Sequence, residues 1–129
     1  MHWNAALGLV AYLKGTKNHG ILLGGGGSKV VGYADSDWGS DEDDRMSVCG
    51  GIIFWGPSVL SWHSRKQNMI SLSIAEAESH ALVDVAKELI YVQRLVDDIN
   101  MVFGGGKSGV QLLYSDNQPA IDAVINGKG

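Results

Sequence analysis

The chain has 129 residues, of which 45% are hydrophobic, and it carries a formal net charge of −4. This length is enough for one hydrophobic core but not for two, so we expect a single globular unit. The negative charge excludes a general attraction to nucleic acid or to an anionic membrane, so a polyanionic ligand would need a local basic patch or a metal ion.

The predicted elements begin with a helix. In the stretch MHWNAALGLVAYLKGT the apolar residues recur at helical spacing, and Gly15 after Lys14 is a typical helix stop. The stretches GILL and KVVGYAD are predicted to form two strands around a loose turn at Gly24 to Gly27. Neither this run nor Gly104 to Gly106 completes the G-x-x-x-x-G-K-S/T pattern of a phosphate-binding loop, so both are interpreted as exposed turns or engineered shortcuts.

The middle of the chain combines strands with a long helix. Strands are predicted at about residues 49–55 and 59–64, joined by the hairpin signal Gly56-Pro57. From Ile74 to Asn100 the apolar residues follow one helical stripe, which predicts the main helix. A further strand, VQLLYSD, precedes a second helix in NQPAIDAVIN, where Pro119 suits the first turn. This order predicts a mixed α/β sheet with helices packed on it.

Two glutamates in SLSIAEAESHALV have different expected roles. At about 100° per residue from Ile74, the apolar stripe centres near 0 to 40°, while Glu76 falls at about 200° and Glu78 at about 40°. Glu76 follows Ser73 at the spacing of a capping box, which accounts for it structurally. Glu78 faces the sheet, where an ionised carboxylate needs either a salt bridge from Lys or Arg or a metal ion.

Other carboxylates bear on this choice. Glu88 edges the same helical stripe, so the angular position of Glu78 does not by itself assign a metal. Asp35 and Asp37 end the strand KVVGYADSD on one face, about 7 Å apart.

Asp116 ends the last strand, where it is either a helix N-cap or a ligand. An EF-hand is excluded because positions 40 and 46 are not Gly and Glu, so 41–44 is interpreted as a solvated acidic loop.

The rest of the composition is typical of a soluble protein. No apolar run approaches the roughly 20 residues of a membrane span, and the N-terminus lacks a signal-peptide pattern, with Met1 interpreted as an expression start. The single Cys49 is compatible with a reducing compartment and with a small buried strand residue. The tryptophans at positions 38, 55 and 62 have two interpretations, stacking on nucleic-acid bases or burial in the core, and the core is the expected one because strand tryptophans are more often buried. We therefore expect an unsecreted protein with no membrane partner.

Ordered blocks of the chain resemble a known family. The stretch GYADSDWGSDEDDRMSVCGGIIFWGPSVLSWHSRKQNMISLSIAEAESHALVDVAKE, followed by LLYSDNQPAI, resembles the ribonuclease H domain of copia-type retrotransposon polyproteins. Residues 1–28, a helix and a strand, resemble the segment that joins reverse transcriptase to that domain, so the ribonuclease H-like domain is placed at 29–129. The resemblance implies an α/β ribonuclease H-like fold, with a mixed sheet flanked by helices.

By position, the resemblance implies that Asp35, Glu78 and Asp116 are the catalytic and metal-binding carboxylates. They would hold two Mg²⁺ ions, with Mn²⁺ as a substitute and Asp35 as the bridging ligand. The implied reaction is hydrolysis of the RNA strand of RNA–DNA hybrids during reverse transcription. The implied partners are that hybrid and the reverse transcriptase domain of the same polyprotein. The implied location is the cytoplasm or a retrotransposon particle. The alternative is a catalytically weak or inactive module that binds the hybrid or braces the polymerase.

Substrate contacts are expected near these carboxylates. The stretch HSRKQN is the most basic in the chain, and Arg65 and Lys66 suit phosphate contacts, although ordinary surface charge explains them equally well. Ser71 and Ser73 are further candidates for phosphates, and Asn117 for contact with the hybrid. Recognition would depend on helix shape and 2′-hydroxyls and not on base sequence.

The resemblance ends before the family pattern does. Family members usually continue to a fourth carboxylate, whereas this sequence stops at Gly129, and Asp122 inside the second predicted helix is a poor substitute. The expectation is that the chain cleaves the hybrid slowly or not at all and that Mn²⁺ partly rescues cleavage. An uncovered sheet edge is also expected to favour self-association.

Overall fold

Three helices and four strands are present in the computed structural model, which describes residues 2–24, 29–40, 43–107 and 109–127. In chain order they are α1 (His2–Thr16), β1 (Val30–Asp37), β2 (Val48–Trp55), β3 (Ser58–Lys66), α2 (Ile74–Val102), β4 (Leu112–Tyr114) and α3 (Gln118–Asn126). Most of the predicted turn at 24–27 and half of the acidic loop at 41–44 lie outside the described residues.

The four strands form one mixed sheet in the order β3-β2-β1-β4. β2 pairs antiparallel with both β1 and β3, and β4 pairs parallel with β1. The parallel pairing is short, from Val31 opposite Leu112 to Tyr33 opposite Tyr114. Because β1 and β4 run in the same direction, their carboxyl ends meet at one end of the sheet. The predicted fold class is confirmed, since a mixed sheet flanked by helices in this order is consistent with a ribonuclease H-like fold.

The β2–β3 hairpin forms where it was predicted. Gly56 and Pro57 connect the two strands, and Gly56 has a φ of 56°, in the left-handed region that glycine adopts at little cost. The predicted turn after the long helix is also present, with Gly104 at a φ of 76°. The backbone freedom of glycine therefore accounts for the conformation of both turns.

α2 covers one face of the sheet and closes the core. Its buried residues recur at helical spacing, as its apolar stripe predicts. On β1 the burial alternates, so that Ala34 and Ser36 face the core while Asp35 and Asp37 share the exposed face, as predicted. Cys49 is a free, buried thiol in β2, also as predicted. The buried apolar cluster consists of Val30, Ala34, Cys49, Ile53, Ala81, Leu82, Val85, Leu89, Val92, Val96 and Ala120.

The predicted strand in GILL is wrong. Residues 21–24 form no strand, and the side chains of residues 21–23 are more than half exposed. The backbone N–H of Gly24 donates to the Ser58 hydroxyl at 2.9 Å, and that hydroxyl donates to the Gly24 carbonyl at 3.2 Å. The Ser58 side chain thus bonds both backbone groups of Gly24, the residue after GILL, and residues 20–24 pair with no strand despite the β propensity of this segment.

The expected burial of the tryptophans is correct only for Trp55, which packs against the core. Trp62 is 63% exposed because it lies opposite Ile52, on the sheet face that α2 does not cover. Trp38 is 44% exposed and follows β1, where its indole N–H donates to the Ser71 carbonyl at 2.9 Å. Strand alternation decided the exposure of Trp62 more than side-chain size did.

α1 forms as predicted but buries none of its described residues. Gly15 lies inside the helix, which ends at Thr16 and not before Gly15. Its exposed apolar residues include Trp3, Leu9 and Val10. The expected partnership of the N-terminal segment with a reverse transcriptase domain stays a prediction, as does self-association. No helix in the described part of the chain is both long and apolar enough to cross a membrane.

Candidate metal centre

Three carboxylates from different elements meet at the carboxyl end of the parallel strand pair. Asp35 belongs to β1 and Glu78 to the N-terminal part of α2. Asp116 follows β4 by two residues, so the prediction that it ends the last strand is wrong: only Leu112–Tyr114 of VQLLYSD pairs with β1. One oxygen from each carboxylate lies within 4.8 Å of the others. Within the described ranges this is the only such group of three or more His, Cys, Asp or Glu side chains. The fold therefore brings together the three residues that the resemblance selected, in an arrangement that could hold a metal ion.

The start of α2 sets the direction of Glu78. Ser73 is the N-cap, and its hydroxyl accepts the Glu76 backbone N–H at 3.2 Å. The Glu76 side chain reaches back and accepts the Leu72 backbone N–H at 2.6 Å. The capping role predicted for Glu76 is confirmed, with the reciprocal bond made to Leu72 and not to Ser73. Two residues further on, Glu78 turns toward the sheet and is only 4% exposed.

One backbone amide holds two members of the cluster. The Ser36 N–H donates to Asp35 Oδ1 at 2.9 Å and to Glu78 Oε1 at 3.2 Å. The other oxygen, Glu78 Oε2, is buried and receives no hydrogen bond from any described residue. A buried carboxylate oxygen without a donor is costly unless a proton or a cation compensates its charge.

The electrostatics of the cluster agree with this geometry. Burial raises the pKa of the Glu78 carboxyl above its ordinary value, and the charges of Asp35, Asp116 and Asp37 raise it further, while the Ser36 N–H acts in the opposite direction. No Lys or Arg of the described residues pairs with Glu78, so the salt-bridge interpretation is not supported.

Replacing Glu78 with glutamine is expected to raise the melting temperature of the metal-free protein at neutral pH. Because the folded-state pKa is raised, the stability contributed by this group is fully present below the unfolded-state pKa and is lost as the pH rises through the folded-state pKa. Glutamine keeps the shape of the glutamate side chain but does not ionise, so the variant does not lose this stability as the pH rises. Thermal melts in EDTA from about pH 4 to about pH 8 should show the two proteins diverging as pH rises. A variant equally or less stable at neutral pH would contradict this expectation.

Glu88, which edges the same helical stripe, has a different environment. Its Oε2 lies 3.0 Å from His63 Nδ1, and its Oε1 accepts a hydrogen bond from the Ser61 hydroxyl. Glu88 therefore has close side-chain neighbours on β3, a histidine and a serine, and the expected Lys or Arg partner is not seen among the described residues. Both carboxylate oxygens of Glu88 have a close side-chain neighbour, whereas Glu78 Oε2 has no hydrogen-bond donor among the described residues. These contacts distinguish the two glutamates, which the helical periodicity could not do.

Asp116 is not the N-cap of α3. That role belongs to Asn117, whose Oδ1 accepts the Ala120 backbone N–H at 2.9 Å. Asp116 is exposed and lines a shallow groove between the ends of β1 and β4. Asp122 lies on α3, accepts a hydrogen bond from Gln118 Nε2 at 2.8 Å, and is outside the three-carboxylate cluster. The interpretation of Asp116 as a helix N-cap is thus wrong. Asp122 does not join the cluster.

The predicted substrate residues have varied surroundings. The side-chain oxygens of Ser73 and Asn117 are used as helix caps. Lys66 Nζ lies 2.6 Å from Asp44 Oδ2 in the acidic loop, whereas Arg65 is an exposed residue of β3. Their contact with a substrate stays a prediction.

Two residues near the centre were not identified from the sequence. Ser36 contributes through its backbone amide, which no side-chain pattern can indicate. Gln67 is buried at the end of β3, and its side chain bonds to residues around the cluster. In HSRKQN the sequence shows the positive charge of Arg65 and Lys66, but no pattern marks Gln67 as buried.

Comparison with known proteins identifies homologues among plant retroelements. The chain is 31% identical over 125 residues to the retrovirus-related Pol polyprotein from transposon TNT 1-94 of Nicotiana tabacum, covering 97% of the chain and 9% of the polyprotein. It is 34% identical over 126 residues to the corresponding polyprotein from transposon RE2 of Arabidopsis thaliana, covering 97% and 8%. The chain thus spans less than a tenth of the length of these polyproteins.

A shorter relative is also similar. The secreted RxLR effector protein 161 of Plasmopara viticola is 34% identical over 92 residues, which is 70% of this chain and 65% of the effector. No protein-family model and no solved structure matches the chain. The similarity to transposon Pol polyproteins extends over nearly the whole chain and supports its origin as a segment of such a polyprotein.

Proposed function

We propose that this chain is the ribonuclease H-like segment of a retroelement Pol polyprotein and that it hydrolyses the RNA strand of RNA–DNA hybrids. The observation that carries the proposal is the meeting of Asp35, Glu78 and Asp116 within 4.8 Å. These residues are 38 or more positions apart in the chain, yet each matches a carboxylate of the resembled family. The Pol polyprotein homologues support a role in a retroelement.

The donor set fits a hard divalent cation. The cluster contains three carboxylates and neither Cys nor His, which favours Mg²⁺ or Mn²⁺ over zinc. The buried Glu78 Oε2, which lacks a donor among the described residues, supports the same conclusion because a cation would compensate its charge. A pair of such cations supplies an activated water and neutralises charge on the leaving oxygen.

The three ligands have unequal exposure, which gives the centre an open side. Glu78 is buried, whereas Asp35 and Asp116 are exposed. The Ser36 amide orients one oxygen of Glu78 and one of Asp35, so the deepest ligand is fixed before any cation arrives. The exposed pair faces solvent, where a nucleic-acid backbone could approach.

Charge determines when that approach is favourable. With a net charge of −4 the chain does not attract a polyanion, and the carboxylate cluster would repel phosphate locally. A cation in the cluster removes this repulsion. Binding of the hybrid should therefore depend on the cation as strongly as cleavage does.

Incubation of the chain with an end-labelled RNA–DNA hybrid tests the proposal. We expect internal cleavage of the RNA strand with Mn²⁺ or Mg²⁺ and none with EDTA, because the carboxylates need a cation to act. Single-stranded RNA and duplex DNA of the same sequence serve as controls and should remain intact. Binding of the hybrid without cleavage in both cations would instead favour the alternative of a hybrid-binding module.

A further inference from the structure

We propose that Gln67 is a positioning residue that sets the spacing between Asp35 and Glu78, an inference that rests on the proposed metal centre. Gln67 immediately follows β3 and is 9% exposed. It touches neither carboxylate in a described hydrogen bond, but it bonds to the chain neighbours of both. It would therefore act through the backbone elements that carry them.

The side-chain nitrogen of Gln67 bridges three elements. It donates to the Ala77 carbonyl at 2.9 Å, and Ala77 immediately precedes Glu78. The same nitrogen lies 3.4 Å from Ser36 Oγ, next to Asp35, and 2.8 Å from Cys49 Sγ in β2. One amide group thus links the N-terminal part of α2 with the ends of β1 and β2 that surround the cluster.

Gln67 is itself held in place. Its Oε1 accepts the Ser71 hydroxyl at 2.9 Å, and its backbone N–H donates to the Ser47 carbonyl at 2.8 Å. The Ser71 carbonyl in turn accepts the indole N–H of Trp38 at 2.9 Å. Because each end of the side chain has partners and the site is buried, the amide has little freedom to choose another orientation.

The bond to Ala77 has a specific mechanical role. In an α-helix the carbonyl of a residue already accepts the N–H four positions later, so the Gln67 bond is an additional contact from outside the helix. It fixes the distance between α2 and the sheet. Glu78 Oε1 reaches the Ser36 N–H, at 3.2 Å, only while that distance is kept. Loss of the bridge should allow α2 to move away from β1 and separate two of the three ligands.

If Gln67 had a purely structural role, its replacement would lower stability without changing cation binding. Gln93 provides the matched control for this distinction. Gln93 is also a buried glutamine, at 5% exposure, and its amide donates to Asp97 Oδ1 at 3.1 Å within α2. It lies fifteen residues beyond Glu78, which is about 22 Å along the helix. Replacing either glutamine should lower stability, but only Gln67 should influence the metal centre.

Calorimetric titration of the full chain with Mg²⁺ and with Mn²⁺, well below the melting temperature, separates the two roles. Gln67→Met keeps the length of the side chain and removes its donor and acceptor. We expect it to weaken cation affinity about tenfold, as loss of a residue supporting metal ligands does, while Gln93→Met leaves affinity within about twofold of wild type. Ser71→Ala, which removes the hydroxyl that orients Gln67, should weaken affinity about threefold.

Each outcome decides the inference. Unchanged affinity in Gln67→Met, or equal weakening in Gln67→Met and Gln93→Met, would overturn it. If Gln67→Met does not fold, Ser71→Ala decides, since weaker binding supports the positioning role and unchanged binding refutes it. A wild-type chain that binds the cations without cleaving the hybrid would refute the proposed hydrolysis and leave the positioning role supported by the variants. A wild-type chain that binds neither cation would overturn both.

Discussion

Neutralising any one of Asp35, Glu78 or Asp116 is expected to reduce the cleavage of an RNA–DNA hybrid by roughly 100-fold or more. Each residue supplies a carboxylate oxygen to a cluster in which all such atoms lie within 4.8 Å. Asparagine or glutamine keeps the side-chain shape but removes the charge that holds a divalent cation. Folding should be intact or improved, since the substitutions relieve mutual repulsion. Single-turnover cleavage rates at saturating Mn²⁺ or Mg²⁺, with circular dichroism to verify folding, measure this effect.

Two neighbouring carboxylates are the controls for this series. Glu76 caps α2 and Asp37 shares the exposed face of β1 with Asp35, but neither belongs to the cluster. Glu76→Gln and Asp37→Asn should therefore alter the rate by no more than about threefold. If Glu76→Gln reduced cleavage as much as Glu78→Gln at saturating cation, the assignment of the buried glutamate as the ligand would be wrong.

Replacing Gly51 with alanine is expected to destabilise the fold by about 1 to 3 kcal/mol. A methyl group at this position in β2 would overlap His63 Cε1 and lie 2.6 Å from Val85 Cγ2. Neither neighbour can move easily, because Val85 of α2 is fully buried against the sheet and His63 Nδ1 lies 3.0 Å from Glu88 Oε2. Urea unfolding at neutral pH measures the loss of stability.

Gly50 is the matched control for Gly51. It precedes Gly51 in β2 and points to the opposite face of the sheet, where an added methyl group would meet only the Asp35 carbonyl oxygen at 4.0 Å. Gly50→Ala should change the free energy of unfolding by less than about 0.5 kcal/mol. Equal destabilisation by the two substitutions would show that backbone effects, and not the overlap with His63 and Val85, dominate.

Periodicity was sufficient to predict the elements that carry the site. The helical stripe predicted α2 and directed Glu78 toward the sheet, and strand alternation placed Asp35 and Asp37 on one exposed face. The predicted strand at GILL failed because β propensity is local, whereas pairing requires a neighbouring strand with free backbone groups. Immediately after that segment, the Ser58 hydroxyl and not a strand bonds the backbone groups of Gly24.

The organisation of the site was less accessible to sequence reasoning. Both Asp and Asn are good N-caps, so the sequence could not decide between Asp116 and Asn117, and only the contact to Ala120 does. The Ser36 amide that holds Glu78 comes from 42 residues away, and packing alone determines such a contact. The resemblance selected the three carboxylates correctly as neighbours, without indicating which amide groups hold them together.

The shortness of β4 links the metal centre to local unfolding. Asp116 is connected to the sheet through an edge strand that pairs with β1 over only three residues. Such a strand can open while the core beneath α2 stays folded, and each opening would remove one of the three ligands. Since a cation that uses all three carboxylates binds only the closed form, its binding and the closing of β4 stabilise each other. An ion bound there would then stabilise the pairing of this edge strand, and ion concentration would set the fraction of molecules in which the three carboxylates stay together.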